Sequence, residues 1–207
     1  MILECLPNGM LDSNCYILGV NGEGVIIDAG VDPSHVAGRI DEHKLKIKYI
    51  ILTHGHIDHI CHIDDLKEAV GGSVVIHEEE ADFLINPVLN CSFVFGERRT
   101  FGTPDIKVKD GDVLKLSNIN LEIIHTPGHT PGGMCIKAGN MLFTGDTLFK
   151  YTTGRTDLPG GSSDNIIKSI KNKLLTLPDE ILVYPGHNEA STIGFEKANN
   201  MVMVGGF

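Results

Sequence analysis

Short runs of apolar residues recur along most of the 207-residue chain, and they are bounded by Gly, Asn or Pro. The runs are rich in Val and Ile, and segments of this length and composition predict β-strands. The predicted strands are Ile2–Leu6, Cys15–Val20, Gly24–Asp28, Ile47–Thr53, Ser73–His77, Val113–Leu116, Leu121–His125, Met134–Lys137, Met141–Thr144 and Ile181–Tyr184.

Helical patterns fill several of the intervals between these strands. Asp32-Pro33 is typical of a helix start, with an N-cap followed by proline, and predicts a helix that runs to about Glu42. Apolar residues at helical spacing predict a second helix on Ile60, Ile63, Leu66 and Val70, which ends at Gly71-Gly72. The same spacing predicts a third helix on Ile166, Ile167, Ile170 and Leu174, which Ser162-Ser163-Asp164 opens. Weaker helical patterns cover Glu78–Ile85 and Thr192–Asn200, and residues 86–105 fit neither template.

The order of elements begins with strands and continues with strands interleaved with helices. This order predicts an α/β layered protein with a mixed sheet or two packed sheets. The length suits a single domain over residues 1–207 with a substantial core. The 24 glycines imply tight turns and close backbone approaches, as in a site built from loops.

Charge and cysteine content narrow the class of function. The net charge is −10 and no run of Lys or Arg occurs, so nucleic acid is a poor candidate for a partner. The five cysteines form no C-x-x-C pair, which favours reduced thiols over a disulfide framework. Neither a signal peptide nor a transmembrane pattern is visible, so we expect a cytoplasmic enzyme without a membrane partner.

Half of the ten histidines follow predicted strands directly. The strand Ile47–Thr53 leads into the segment His54–His59, which holds four potential metal ligands within six residues. Three later strands end beside residues of the same type, at His129, Asp146 and His187. Strand ends are where open α/β sheets place their ligands, so these residues are expected to meet.

Imidazole and carboxylate groups suit zinc, iron or manganese. One catalytic metal needs three or four ligands, whereas seven candidates are about right for two ions that share a bridge. Two ions at roughly 3.5–4 Å would clamp a hydroxide and polarise the bond that it attacks. The seven candidates are His54, His56, Asp58, His59, His129, Asp146 and His187.

The opposing interpretation is that these histidines are ordinary loop residues. A single loop histidine is more often solvated or hydrogen-bonded than a ligand, but burying four such residues together without metal leaves polar groups unpaired. His62 is expected to face solvent or lie behind the ligands, although it could also crowd the pocket or touch substrate. Ordinary roles are assigned to the other histidines, His35, His43, His77 and His125.

The motifs Thr53–His59, Thr126–Thr130, Gly145-Asp146 and Pro185-Gly186-His187, preceded by Ile27-Asp28-Ala29-Gly30, resemble those of the metallo-β-lactamase superfamily. They occur in order and span residues 28 to 187. The resemblance implies an αββα sandwich, two mixed sheets flanked by helices, with the metals at one edge between the sheets.

The resemblance also implies a ligand set. One metal would take His54, His56 and His129, and the other Asp58, His59 and His187. Asp146 would bridge the two ions, and Asp28 would position the site through hydrogen bonds from behind the ligands. Zinc is the expected metal, with iron and manganese as alternatives.

Two segments, 154–162 and 192–197, resemble a short bacterial and archaeal branch of the glyoxalase II group. The implied substrate is a small thioester such as S-lactoylglutathione, attacked at its carbonyl by a metal-bound hydroxide, with Asp58 orienting the nucleophile or moving its proton. Where longer members of that group have a lysine and a tyrosine, this chain has Arg155 and Asp157, and Arg155 is expected to contact substrate. Cys61 and His62 stand where the group usually has two small residues.

Other functions remain open at this point. Persulfide dioxygenases also carry a Gly-Arg-Thr-Asp run but use a single iron with fewer ligands, and a hydrolase of another small ester would need the same residues. A nuclease is disfavoured by the net charge of −10. A metal-binding or partner-binding module without catalysis is disfavoured by the complete ligand set.

Overall fold

The computed structural model describes residues 1–204 and contains two six-stranded sheets. The strands of the first sheet follow one another in space as in sequence, and only β1 to β3 are antiparallel. They are β1 (Ile2–Leu6), β2 (Cys15–Val20), β3 (Glu23–Ile27), β4 (Lys46–Ile51), β5 (Ser73–His77) and β6 (Ile106–Val108).

The later strands form the second sheet and a short ribbon. They are β7 (Val113–Leu116), β8 (Ile119–His125), β9 (Met134–Ala138), β10 (Met141–Gly145), β11 (Leu148–Phe149), β12 (Thr152–Thr153), β13 (Leu182–Pro185) and β14 (Ser191–Thr192). The second sheet has the order β14-β13-β10-β9-β8-β7, with β10 and β13 parallel, while β11 and β12 pair only with each other.

Helices cover the outer face of each sheet. They are α1 (Pro33–His43), α2 (Ile57–Ile60), α3 (Ile63–Val70), α4 (Ser163–Ser169), α5 (Ile193–Asn199) and α6 (Met201–Val204), with a π-turn after α4 at Ile170–Leu174. Asp32 caps α1 as its sequence predicts, accepting hydrogen bonds from the backbone N–H groups of Ser34 and His35. Within residues 1–204, no helix has the length and apolar character needed to cross a bilayer.

Three apolar layers alternate with the sheets. The central layer packs side chains such as Leu18, Ile27 and Val75 of the first sheet against Ile136 and Phe143 of the second. The two outer layers fill the space between the first sheet and α1 and α3, and between the second sheet and α4. This arrangement confirms the predicted αββα sandwich with two mixed sheets.

The predicted elements differ from the structure in a few places. The helix expected from Ile60 to Val70 is interrupted at Cys61 and His62, so that α2 and α3 are separate. The helix expected over Glu78–Ile85 is a 3-10 helix that ends at Phe83. The strands β6, β11, β12 and β14 were not predicted, because two or three residues carry too little periodicity to be recognised.

The segment 86–105, which fits neither the helical nor the strand pattern, is a loop. It contains one 3-10 turn, Ser92–Phe95, and no strand. The side chain of Asn90 holds it together by donating to the carbonyl oxygens of Phe83 and Arg99. The segment therefore has a defined conformation although it lacks regular structure.

Candidate metal centre

All seven predicted ligands lie at one edge of the sandwich, where strands of both sheets end. The first sheet contributes the segment after β4, and the second sheet contributes the loops after β8, β10 and β13. The side chains fall into three overlapping groups in which the ligand atoms lie within 4.8 Å of one another. The first group is His54, His56 and His129, the second group is Asp58, His59 and His187, and the set of His54, His59 and Asp146 joins them. We call the seven residues together the histidine–aspartate cluster.

The first group consists of three imidazoles. Nδ1 of His56 lies 2.8 Å from Nε2 of His129. The ring of His54 is nearly perpendicular to both of these rings, with its centroid 4.9 Å from that of His56 and 4.7 Å from that of His129. All three side chains are buried. This group takes two members from the first sheet and one from the second.

The second group combines a carboxylate with two imidazoles. Nε2 of His187 lies 3.2 Å from Nε2 of His59 and 3.2 Å from Oδ2 of Asp58. It too draws on both sheets, because Asp58 and His59 lie in α2, which follows β4 of the first sheet, and His187 follows β13 of the second. Like the first group, it brings nitrogen atoms of two imidazoles into direct contact.

Asp146 lies between the two groups. Its Oδ1 is 3.4 Å from Nε2 of His59, and its Oδ2 is 3.5 Å from Nε2 of His129 and 3.6 Å from Nε2 of His187. Among the seven residues, only Asp146 has one carboxylate oxygen within 4 Å of a histidine of the first group and the other within 4 Å of a histidine of the second. A carboxylate in this position is able to share two cations.

Asp28 orients the cluster from behind. Its carboxylate accepts hydrogen bonds from the backbone N–H of Thr53 at 2.7 Å, from the Thr53 hydroxyl at 2.9 Å and from Nδ1 of His59 at 2.9 Å. Because an ionised carboxylate only accepts, the Thr53 hydroxyl is free to accept from Nδ1 of His54 at 3.1 Å. Both Nδ1 atoms therefore hold protons, and Nε2 of each ring is the atom that faces the cluster.

The backbone of Asp28 adopts φ = 64°, a conformation that residues other than glycine rarely occupy. Positive φ values at such residues persist where the surroundings enforce them, and they concentrate at functional sites. Here the turn at the end of β3 aims the carboxylate at the ligand segment. The structure thus places Asp28 where the sequence resemblance expected it.

A main-chain group orients His129. Nδ1 of His129 donates to the carbonyl oxygen of Arg155 at 2.7 Å, which leaves Nε2 of His129 free to face His56 and Asp146. Gly154 makes this approach possible, since a Cβ there would lie 1.8 Å from the carbonyl oxygen of Asp146. The loop after β10 therefore supplies both Asp146 and the hydrogen bond that positions His129.

The pKa values of the histidines divide the cluster. Burial lowers the pKa of His54 well below its usual value and that of His56 to about 3. Burial acts in the same direction on His59, but the carboxylates of Asp58 and Asp146 outweigh it and hold its pKa well above the usual value. His54 and His56 are therefore neutral at physiological pH, whereas the carboxylates of Asp58 and Asp146 favour the protonated form of His59.

The residues fit a metal centre. Nε2 of His54 and Nε2 of His56 are buried and have no hydrogen-bond partner among residues 1–204, which is costly in a protein interior. Two pairs of imidazole nitrogens face each other at 2.8 and 3.2 Å, and such contacts require a shared proton or a shared cation. Imidazole nitrogens and carboxylate oxygens are the donors that zinc, iron and manganese take.

Sequence reasoning missed Glu80, which is completely buried behind the ligands. Its Oε2 accepts from the backbone N–H of Gly55 at 2.9 Å, and its Oε1 accepts from that of Gly132 at 2.8 Å. Gly55 lies between two ligands of the first sheet, and Gly132 lies in the loop that carries His129. Glu80 therefore connects the ligand loops of the two sheets. In the sequence it ends an acidic run, Glu78-Glu79-Glu80, which is typical of a solvated surface.

The buried position of Glu80 changes its acidity. Burial raises the pKa of Glu80 to about 7, while the hydrogen bonds that it accepts act in the opposite direction. Gly132 allows the close approach, because a Cβ there would lie 2.7 Å from Cγ of Glu80. The carboxyl group is thus held firmly enough to fix the spacing of two backbone segments.

The cluster forms the base of a cavity of about 340 Å³. Polar cluster residues line its inner end, and apolar side chains from separate segments line its mouth. The apolar residues at the mouth are Leu11, Val94, Phe95, Phe149 and Leu158, which we call the apolar rim. Val94 and Phe95 belong to the segment 86–105, so this segment lies beside the site.

Arg155 also lines the cavity, but its side chain is engaged. Its Nε and Nη2 atoms each donate to a carboxylate oxygen of Asp157 at 2.7 Å. Arg155 was expected to contact substrate, but its guanidinium is paired with Asp157. The carbonyl oxygen of Arg155 positions His129.

The two unusual residues after the ligand segment lie away from the cavity. His62 is half-buried, and its backbone N–H donates to the carbonyl oxygen of Ala29. Cys61 is buried, with its Sγ directed at the carbonyl oxygens of Ala29 and Gly30. Neither side chain lines the cavity, so His62 does not crowd the site.

Comparison with known proteins agrees with this geometry. Residues 8–187 match the sequence model of the Metallo-beta-lactamase superfamily. Hydroxyacylglutathione hydrolase GloC of Haemophilus influenzae is 36% identical, over 97% of this chain and 97% of its own length.

Two solved structures are similar over nearly the whole chain. The crystal structure of the BLEG-1 B3 metallo-beta-lactamase has a TM-score of 0.94 and 33% identity, covering 99% of this chain and 100% of that one. The crystal structure of TTHA1623 in a di-iron-bound form has a TM-score of 0.84 and 30% identity, covering 95% and 98%.

Proposed function

The chain belongs to the metallo-β-lactamase superfamily as a metal-dependent hydrolase, and we propose that it uses two divalent metal ions to cleave small thioesters. The observation that carries the proposal is the arrangement of the cluster. Two complete groups of three ligands lie on either side of Asp146, which faces both. A site for one ion would need only one of these groups.

The ligand assignment follows the two groups. His54, His56 and His129 would hold one ion; Asp58, His59 and His187 would hold the other; Asp146 would be shared. Bound ions of this kind lower the pKa of water towards about 7 and polarise a carbonyl oxygen. Zinc is the metal that we expect, and the di-iron form of the TTHA1623 structure supports iron as the alternative.

Asp58 is placed to handle a proton within the site. Its side chain lines the cavity, and Oδ2 lies 3.2 Å from Nε2 of His187. Burial opposes the ionised form, but His59 and His187 outweigh it and lower the pKa of Asp58. The carboxylate is therefore ionised at neutral pH, and it is able to accept a hydrogen bond from an incoming nucleophile at Oδ2.

A thioester is the substrate class that the site serves without further machinery. A thiol has a pKa near about 8.5, so a thiolate departs without a strong general acid. Asp58 and Asp146, the two carboxylates that line the cavity, have lowered pKa values, so neither carries a proton at neutral pH for a poorer leaving group. The name of the GloC relative, hydroxyacylglutathione hydrolase, supports the same class.

Hydrolysis of β-lactams is a second candidate, favoured by one observation. The BLEG-1 B3 metallo-beta-lactamase superposes on this chain with a TM-score of 0.94. A β-lactam carbonyl would meet the same cluster. A chromogenic cephalosporin assayed beside the thioester distinguishes the two activities.

The proposal is tested by measuring metal content per chain on protein purified without added metal, together with hydrolysis of S-lactoylglutathione by the same sample. Two metals per chain with thioester cleavage support the proposal. One iron per chain without hydrolysis would favour a persulfide dioxygenase and remove the ligand roles of Asp58, His59 and His187.

We also propose that the protein acts in the cytoplasm. All five cysteines are unpaired in the structure, and four of them are buried as thiols. Unpaired cysteines are typical of proteins in a reducing compartment.

A further inference from the structure

We propose that the thiol portion of the substrate is uncharged and apolar, and that the apolar rim binds it; this rests on the proposed thioester hydrolysis. The rim is the group of Leu11, Val94, Phe95, Phe149 and Leu158 around the mouth of the cavity. The carbonyl of the thioester would face the histidine–aspartate cluster, and its departing thiol portion would lie against the apolar rim.

The rim exposes large apolar side chains without an apparent structural reason. Val94 is 69% exposed, Leu11 57% and Phe95 44%, although all three lie beside one cavity. Single exposed apolar residues are common, but several converging on one opening indicate a binding surface. Covering this surface would contribute roughly 25 cal/mol for each Å² of apolar area removed from water.

The backbone of the rim is also held in an unfavourable conformation. Leu11 has φ = 54°, inside the left-handed region that a leucine seldom occupies. A left-handed residue with a Cβ costs about 1–2 kcal/mol, and such strain persists mainly where it serves function. The 3-10 turn Met10–Asp12 thus presents a leucine to solvent beside the cavity at a cost to stability.

Charges at the cavity argue against a charged thiol. Glutathione carries two carboxylates and one ammonium, and its recognition requires free cationic groups. Among the described residues that line the cavity, Arg155 is the single lysine or arginine, and its Nε and Nη2 atoms donate to the carboxylate of Asp157. Lys150, next to the rim residue Phe149, is paired with Glu189 at 3.0 Å. The mouth therefore offers contact area but no unpaired lysine or arginine side chain.

Two substrates with the same acyl group test the proposal. The metal-loaded enzyme is assayed with S-lactoylglutathione and with the lactoyl thioester of 2-phenylethanethiol, whose thiol portion is uncharged and aromatic. We expect kcat/KM to be at least about tenfold higher for the phenylethyl thioester, because one buried aromatic ring contributes more than about 1.4 kcal/mol. Equal values, or a preference for the glutathione thioester, would overturn the inference.

A charge placed in the rim provides a matched variant. Val94→Lys introduces a cation into the rim at a position that is 69% exposed, and Val88→Lys introduces the same change at 57% exposure outside the cavity lining. Val94→Lys is expected to shift the ratio of the two kcat/KM values towards glutathione by about tenfold, whereas Val88→Lys leaves it unchanged. An unchanged ratio in both variants would contradict the proposed role of the rim.

A binding measurement separates this inference from the proposed function. Titration calorimetry compares two thioethers that cannot be hydrolysed, the 2-phenylethyl thioether and the glutathione thioether of the same lactoyl analogue. Tighter binding of the phenylethyl compound without turnover of either thioester supports the rim and refutes the hydrolysis. Turnover that favours the glutathione thioester refutes the rim and leaves the hydrolysis standing.

Discussion

The histidine–aspartate cluster and the apolar rim face the same cavity but are built in different ways. The cluster follows the ends of strands, is largely buried, and is oriented by hydrogen bonds that Asp28, Glu80 and the carbonyl oxygen of Arg155 accept. The rim comes from short turns, a loop and the two-residue strand β11, and its most exposed members, Leu11, Val94 and Phe95, lie in 3-10 turns. The difference indicates that the chemistry is fixed rigidly while the choice of substrate depends on parts of the chain that are free to vary.

The most severe way to test this division is to remove a cluster residue. His129→Ala deletes one expected ligand of the first group, which consists of imidazoles. We expect kcat/KM to fall by more than the ~100-fold that is typical of losing a residue that hydrogen-bonds to a ligand. Metal content per chain, measured by elemental analysis, should decrease in parallel.

His62→Ala is the control for that experiment. His62 lies three residues after His59 but does not line the cavity, so activity and metal content should stay unchanged. Equal losses in both variants would mean that the segment, rather than the ligand, matters.

A subtler change leaves all seven cluster residues in place. Asp28→Asn replaces an acceptor of the Nδ1 proton of His59 with a group that also donates, which favours the wrong tautomer of the imidazole. We expect metal affinity to fall about 10- to 100-fold, as measured by competition with a chelating dye. Wild-type affinity in this variant would show that Asp28 is not needed to orient His59.

The Glu80 bridge gives a smaller effect and a pH signature. In Glu80→Gln, one of the two acceptors becomes a donor that faces a backbone N–H, so we expect about tenfold weaker metal binding. The sign of the pH effect follows from the raised pKa. The pKa of Glu80 is about 7 in the folded protein and 4.5 for an ordinary glutamate, which stands for the unfolded chain, so the folded protein binds more protons between these pH values. The metal-free wild type therefore loses stability as pH rises from 4.5 to about 7.

Glu80→Gln should not show that loss between the two pH values. Urea denaturation of metal-free protein at several pH values measures it in both proteins. Parallel pH profiles would indicate that Glu80 does not hold the raised pKa.

The smallest expected effect concerns the rim. Leu11→Gly removes an apolar side chain and also relieves a positive φ, so KM for an apolar thioester should rise about 3- to 10-fold while stability stays within about 1 kcal/mol of wild type. Leu11→Ala removes the same side chain beyond Cβ but keeps the strained conformation. A comparable KM with lower stability than Leu11→Gly would confirm that the strain serves the rim, whereas a large loss of stability in Leu11→Gly would contradict it.

The sequence predicted the two regions unequally. The ligand segment 54–59 was recognisable because four metal-binding side chains follow one apolar strand, and the resemblance then supplied the grouping around Asp146. The layered fold was predictable for the same reason, since most strands were long enough to show their composition. Four strands of two or three residues were not.

The remaining features depend on tertiary contacts that no local pattern encodes. Glu80 lies in an acidic run, and its burial follows from the approach of Gly132, which is more than 50 residues away in the chain. The apolar rim is assembled from short segments that are far apart in sequence, so no period marks it. The pairing of Arg155 with Asp157 is a local contact, by contrast, and it engages the guanidinium that was expected to contact substrate.

The division of each metal group between the two sheets has a consequence for folding. His56 and His129 are 73 residues apart, and His59 and His187 are 128 residues apart, so each ion held there would close a very long loop in the manner of a reversible crosslink. A covalent link across a loop of about 100 residues restricts the unfolded chain by about 4.7 kcal/mol at 25 °C. The lifetime of the folded molecule in a cell would then follow the supply of metal, since a chain that loses its ions also loses the ties that keep its two halves from separating.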